Sequence, residues 1–126
     1  MEAIDANVLV RLVTRDHPSQ VEAAESFVRK GAWVSVLALA EASSVLAIVY
    51  ELNAKDIAQA IRMLLDHRDL VLQEPDAVAG ALELFRTRPS LGFSDCLMLE
   101  LARKAGHLPL GTSDRNLAKT DGACKL

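Results

Sequence analysis

Four acidic residues lie where a short apolar run gives way to a helix, or in the first turns of the helix that follows. Asp5 ends the first predicted strand and Asp114 lies just beyond the fourth, while Glu41 is in the first turns of one predicted helix and Asp95 is at the start of another. Carboxylate oxygens are the ligands that hard cations such as Mg²⁺ and Mn²⁺ prefer. A cation held there could bridge a phosphate, polarise its phosphorus and activate a water molecule. The four acids therefore predict a metal site that acts on phosphate esters.

Each acid also has a purely structural explanation. Asp95 fits a charge favoured by the dipole at a helix start, Asp114 fits an N-cap, and Glu41 fits a helix-start charge or an exposed helix position. Asp5 is harder to explain, because it stands inside an apolar run and a buried carboxylate without a partner is costly. The metal-site hypothesis depends on the four acids occurring together.

The elements that must position these acids alternate between short apolar runs and helical periodicity, a pattern typical of a parallel sheet covered by helices. Strands are expected at about 1–5, 33–36, 70–72, 107–111 and 123–126. Helices are expected at about 7–14, 18–30, 37–52, 54–67, 75–88 and 95–105, with Ser94 as the cap of the last, and a short helix after Asp114. Because ligands bind beyond the carboxyl ends of parallel strands, the acids should meet at one sheet edge.

Composition limits the function classes. A chain of 126 residues with 51% hydrophobic and 25% charged residues is expected to form one globular domain, residues 1–126. It is expected to carry no secretory signal and no membrane-spanning segment, and its two cysteines are expected to be reduced thiols of a cytoplasmic protein. The net charge of −3 argues against nucleic-acid binding, but without the four acids 14 basic residues face 13 acidic ones.

Basic residues flank the acidic segments. Arg11 and Arg15 follow the first acid, and Arg115 and Lys119 follow the last. Such side chains could contact RNA phosphates, which supply most of the non-specific affinity of RNA-binding proteins. Ordinary solvated charges are the alternative for each of them.

The order of these motifs resembles the PIN-domain family, and more narrowly the VapC-type toxins of toxin–antitoxin pairs. The resemblance covers nearly the whole chain. The matching segments are Ile4–Arg11, Leu39–Glu41, Gly92–Leu97 and Thr112–Ala118. Each segment is short, and their order in a chain of this length makes the match strong.

The resemblance implies a three-layer α/β/α sandwich with a mainly parallel central sheet, and cleavage of RNA phosphodiesters that depends on Mg²⁺ or Mn²⁺. It also implies a homodimer and a cognate antitoxin whose tail lies over the active site. The residues it assigns are the acids Asp5, Glu41, Asp95 and Asp114, which bind metal and catalyse, and Asn7 and Thr112, which support them by hydrogen bonding.

Three positions depart from the family pattern. Ala6 stands where a hydroxyl residue is common, Ser113 stands where an aromatic residue is common, and Ser94 and Cys96 replace the usual alanines beside Asp95. All four carboxylates are kept, so the departures concern the surroundings of the site and the level of activity rather than the fold.

Two other functions remain open from the sequence. A phosphohydrolase of the haloacid dehalogenase type would use Asp5 as a nucleophile, but it needs an aspartate two residues later, where this chain has Asn7. A binding module without activity would use the acids only to hold a structural cation. A covalent aspartyl-phosphate would indicate the first, and metal-induced stabilisation without RNA cleavage would indicate the second.

Overall fold

The structure is a computed structural model that describes residues 1–126, with five short strands and seven α-helices. The strands are β1 Glu2–Ile4, β2 Ala32–Val34, β3 Leu70–Leu72, β4 Leu110–Thr112 and β5 Ala123–Lys125. The helices are α1 Ala6–Thr14, α2 Pro18–Val28, α3 Val36–Ile48, α4 Ala54–Asp66, α5 Pro75–Thr87, α6 Phe93–Ala105 and α7 Arg115–Ala118, and a 3-10 turn at Pro89–Leu91 joins α5 to α6.

All strand pairs are parallel. The first three form one sheet in the order β1-β2-β3, in which Ile4, Val34 and Leu72 lie side by side at the carboxyl edge. β4 and β5 form a second parallel pair, and no backbone ladder joins the two sheets. The predicted α/β class with parallel strands is therefore confirmed, and the sheet is divided between a three-stranded and a two-stranded ladder.

Helix packing supplies the core. α1 packs against α2 and α3, α3 also contacts α4 and α6, and α5 packs between α4 and α6. Leucines at the centre of these contacts, among them Leu9, Leu46 and Leu99, are at most 1% exposed. Burying each contributes roughly 1.5–3 kcal/mol. The aromatic contribution is small and includes an edge-to-face pair of Phe85 and Phe93 with ring centres 6.0 Å apart.

Several element boundaries differ from the predicted ones. β4 begins at Leu110, not residue 107, and Pro109 just before it has no N–H to donate to a ladder. The expectation that Ser94 caps α6 is wrong, because the helix already begins at Phe93 and Gly92, with φ of 81°, occupies the cap position. Gly106 ends α6 in the left-handed conformation, as predicted.

No helix is both long enough and apolar enough to cross a lipid bilayer.

Candidate active site

Asp5 lies between the end of β1 and the start of α1, and its backbone is extended. One carboxylate oxygen, Oδ1, accepts a hydrogen bond of 3.2 Å from the backbone N–H of Val8. The expectation that Asp5 would be expensive to bury is wrong, because the residue is exposed and acts as the N-cap of α1. Its second oxygen, Oδ2, accepts no hydrogen bond from the protein and is free for another ligand.

Asp114 occupies the equivalent position after β4, as the N-cap of α7. Its Oδ1 accepts hydrogen bonds from the backbone N–H groups of Asn116 at 2.8 Å and Leu117 at 3.0 Å. The backbone N–H of Asp114 in turn donates to the hydroxyl of Thr112 at 3.0 Å. Thr112 therefore holds the turn that presents Asp114, and the Oδ2 of Asp114 stays free.

Asp95 lies in the first turn of α6 and is partly buried, and its carboxylate has neither a hydrogen bond nor an ion pair within the protein. Burial raises the pKa of Asp95, and the negative charge of Asp114 raises it further. The two carboxylates come from distant segments of the chain, so the fold has brought like charges within electrostatic reach. A divalent cation would relieve this repulsion.

Glu41 is exposed near the start of α3 and forms no ion pair. α3 packs against α1 and α6, so it borders the two helices that carry Asp5 and Asp95 at their N-terminal ends. No three side chains of the His, Cys, Asp and Glu types converge closely enough to hold a metal ion. The structure therefore brings Asp95 and Asp114 together, and it does not bring Asp5 or Glu41 into a common group with them.

A pair of carboxylates still fits Mg²⁺. This ion keeps several of its waters and is commonly bound through only one or two carboxylates together with phosphate oxygens of the substrate. Asp95 and Asp114 offer that number of ligands, and neither carboxylate has an ion-pair partner within the protein.

Arg88, at the end of α5, fixes the segment that carries Asp114. Its guanidinium donates to the backbone oxygen of Asn116 at 3.2 Å, to the side-chain oxygen of Asn116 at 3.0 Å, and to the hydroxyl of Thr120. The side-chain amide of Asn116 donates to Ser90 at 3.1 Å. Sequence reasoning missed Arg88, since nothing in its local sequence connects it to residues so much later in the chain.

Two of the predicted RNA-contacting residues are engaged within the protein. Arg11 forms an ion pair of 2.7 Å with Asp16 and donates to the hydroxyl of Tyr50 at 3.0 Å, and this hydrogen bond to Tyr50 is the main cause of its raised pKa. Arg15 forms two hydrogen bonds to Glu25, at 3.3 and 3.4 Å. Both side chains help to fix α1 against its neighbours.

The other predicted contacts are free of protein partners. Arg115 and Lys119 are both exposed, and neither forms an ion pair. Asn7 is exposed, and its side chain makes no hydrogen bond within the protein. It lines a cavity of about 570 Å³ between α1 and α2. The supporting role expected for Asn7 therefore has no hydrogen-bond partner in this structure.

Cys96 directly follows Asp95 but is not a nucleophile. Burial, and then the negative charge of Asp95, raise the pKa of its thiol to about 11. The thiol is fully protonated at neutral pH, and only the thiolate is a good nucleophile. Cys96 is a buried core residue, as the sequence indicates, and the acids remain the only candidates for chemistry at this helix start.

The sequence model of the family described as PIN domain matches residues 3–123. The matched region contains all four acids together with Asn7 and Thr112, and extends from β1 to the first residue of β5. No curated protein and no solved structure gives a significant match to the chain.

Proposed function

This chain belongs to the PIN-domain family, and on that basis we propose that it is a metal-dependent endoribonuclease that hydrolyses RNA phosphodiester bonds. PIN domains are generally nucleases. The observation that carries the proposal is the pair formed by Asp95 and Asp114, two carboxylates without an ion-pair partner. Burial raises the pKa of Asp95, and the charge of Asp114 raises it further. Unneutralised acids at the starts of two helices suit a divalent cation and the phosphate it would bind.

Each acid has a proposed role. Asp95 and Asp114 would bind Mg²⁺ or Mn²⁺, Asp5 would contribute its free Oδ2, and Glu41 would bind the metal directly or through water, or accept the proton of the attacking water. When bound, the cation supplies positive charge that polarises the phosphate and lowers the pKa of a coordinated water. The caps at α1 and α7 and the hydroxyl of Thr112 hold Asp5 and Asp114 in fixed orientations.

We further propose that the protein is the toxin of a toxin–antitoxin pair, acting in the cytoplasm as a homodimer that a cognate antitoxin inhibits. The four short motifs support the toxin assignment. The dimer is supported by large apolar side chains on the surface of α3 and just beyond its end, where Leu37 and Ile48 are 77% exposed and Val49 is 68% exposed. Such exposed apolar groups are typical of protein interfaces.

The test is cleavage of RNA by the purified protein with Mg²⁺, Mn²⁺ or EDTA, compared with the variants Asp5→Asn and Asp95→Asn. Asp56→Asn is a matched control, because Asp56 holds the same position in the first turn of α4 as Asp95 does in α6, and it is exposed. We expect metal-dependent cleavage by the wild type and the control, and its loss in the other two. Unchanged cleavage in both variants would overturn the assignment.

A metal-binding module without nuclease activity is the second candidate, because Asp95 and Asp114 could bind a cation while Asp5 and Glu41 stay outside their group. In that case Mg²⁺ or Mn²⁺ would raise the melting temperature of the wild type while no RNA was cut under any of these conditions.

A further inference from the structure

A groove leads away from the start of α6 and across the surface to α4 and α5. It consists of two adjoining cavities, of about 290 and 440 Å³, that share Ala54, Phe85 and Pro89 as lining residues. The first cavity is bordered by Gly92 and Ser94, next to Asp95. The second lies between α4 and α5. The shared residues make the two cavities one continuous depression.

The groove begins beside the proposed metal site. A Cβ atom built on Gly92 would lie 4.0 Å from Oδ2 of Asp95, so the carboxylate lies directly over the residue that borders the groove. Ser43, Ser44 and Ser94 line the same cavity, and no charged side chain does. The hydroxyl of Ser43 donates to the backbone oxygen of Ala40 at 2.7 Å, whereas those of Ser44 and Ser94 form no hydrogen bond within the protein. This end of the groove is therefore adjacent to Asp95 and offers hydrogen-bonding groups.

The far end of the groove is basic. Lys55, Arg62 and Arg86 line it, and no acidic residue does. Lys55 and Arg86 form no ion pair, and the pair of Arg62 with Asp66, at 3.5 Å, is solvent-exposed on both sides and therefore weak. Lys55 and Arg62 are separated by about 10 Å along the axis of α4, given a rise of about 1.5 Å per residue. The cations thus form a row rather than a single anion site.

We propose that this groove binds the RNA strand that continues from the scissile phosphate at the metal site proposed at Asp95 and Asp114, with Lys55, Arg62 and Arg86 contacting its backbone phosphates. The inference rests on the proposed function, since it extends the substrate of that site. A polyanion matches the row of cations, and the groove is continuous with the place where the scissile phosphate would lie. The chain's net charge of −3 makes such a local basic row necessary for RNA binding.

The test compares two triple variants with equal loss of charge. The groove variant is Lys55→Gln/Arg62→Gln/Arg86→Gln. The control variant is Arg29→Gln/Lys30→Gln/Arg68→Gln, whose residues precede β2 and β3 and so lie at the sheet edge opposite the carboxyl ends. Binding of a fluorescein-labelled single-stranded RNA is measured by fluorescence anisotropy with EDTA at several salt concentrations, and cleavage of the same RNA is measured with Mg²⁺.

We expect the groove variant to bind about tenfold more weakly than the wild type, and the slope of log K against log salt to fall by about 2, because each phosphate contact on a single strand contributes about 0.7. Cleavage should show a raised KM with kcat nearly unchanged. The control variant should resemble the wild type.

Four results would overturn the inference. Equal RNA affinity of the groove variant and the wild type, with cleavage intact, would reject the groove and leave the nuclease assignment standing. Equal weakening in both triple variants would show a bulk charge effect. A wild type that neither binds nor cuts RNA would reject the proposed function and the groove together. A change in oligomeric state without a change in RNA affinity would identify the groove as a contact between copies of the chain.

Discussion

Asp16 and Asp95 are carboxylates that the chain surrounds in opposite ways. Asp16, in the turn after α1, accepts hydrogen bonds from Arg11 at 2.7 Å, Thr14 at 2.8 Å and Tyr50 at 3.0 Å. Burial alone would raise the pKa of Asp16, but these hydrogen bonds outweigh it and lower the pKa to about 2. The hydrogen bonds of this cluster stabilise the ionised carboxylate, and the one from Tyr50 joins α1 to the segment after α3.

Asp95 has none of these partners. Burial and the charge of Asp114 both raise its pKa, so the fold keeps a carboxylate where it is electrostatically unfavourable. A carboxylate with a structural role is surrounded by donors, whereas one left without them beside a second acid indicates a binding or catalytic site. We therefore expect substitutions at Asp95 and Asp114 to lower activity, and substitutions at Asp16 to lower stability.

The largest expected difference is in RNA cleavage by Asp114→Asn and Asp16→Asn. Asparagine caps helices about as well as aspartate, so Asp114→Asn should keep α7. The substitution removes the negative charge that helps to raise the pKa of Asp95. We expect at least about a 100-fold loss of kcat, the effect typical of removing one electrostatic group from an active site. Asp16→Asn should keep nearly full activity when measured well below its melting temperature. Equal losses in both variants would show that Asp114 contributes no more to cleavage than Asp16 does.

The second largest effect is expected from Arg88, whose hydrogen bonds hold the segment that carries Asp114. Arg88→Met removes three hydrogen bonds that hold α7 and Thr120, leaving partly buried acceptors unpaired. We expect about 2 kcal/mol of lost unfolding free energy from urea denaturation. We also expect about a tenfold loss of kcat, as is typical when a residue that orients a metal ligand is replaced.

Arg29→Met is the matched control for Arg88→Met. Arg29 also follows the last residue of a helix, α2, but its side chain forms no hydrogen bond. It should change neither quantity. If Arg88→Met lowered stability without lowering kcat, Arg88 would support the fold alone and would not position Asp114.

The third effect is a change in melting temperature, which should have opposite signs for Asp95→Asn and Asp16→Asn. At neutral pH, Asp95→Asn should raise the melting temperature by a few degrees because it removes the repulsion from Asp114, and Asp16→Asn should lower it by a similar amount. Thermal unfolding followed by circular dichroism measures both. An increase in Asp95→Asn accompanied by loss of cleavage would be a trade-off of stability for function.

The pH dependence of stability also distinguishes the two carboxylates. The folded pKa of Asp16, about 2, lies below its usual 3.8, so its stabilising effect is fully present above 3.8 and is lost as pH falls towards 2. The folded pKa of Asp95 is raised, so its destabilising effect is present above that folded pKa and disappears as pH falls below the usual value. Both differences from the wild type should therefore shrink in acid, from opposite directions.

The sequence indicates the elements of this fold well, because apolar periodicity depends on local spacing. α1 and β3 lie within a residue of their expected positions. The boundaries that differ follow from single residues, such as Gly92, whose positive φ places the start of α6 before Ser94, and Pro109, which cannot donate to a strand. Local rules determine these features once the backbone conformation is known.

The candidate site is less predictable, since it depends on packing between distant segments. The four acids are visible in the sequence, but which of them meet is decided by where the chain places the starts of α6 and α7. The hydrogen bonds of Arg88 and the free carboxylate of Asp95 are properties of that packing, and so is the exposure of Asp5, which makes it a cap rather than a buried charge.

The smallest expected effect compares the hydroxyl neighbours of the two carboxylates. Thr14 donates from one hydroxyl towards both Asp16 at 2.8 Å and the backbone oxygen of Val10 at 2.9 Å, so Thr14→Val should lower the unfolding free energy by about 1 kcal/mol. Ser94 does not cap α6, so Ser94→Ala should stay within about 0.5 kcal/mol of the wild type. Urea denaturation measures both. A cost for Ser94→Ala as large as that for Thr14→Val would mean that Ser94 is bound to Asp95 in solution, and the two carboxylates would then be less different than their surroundings indicate.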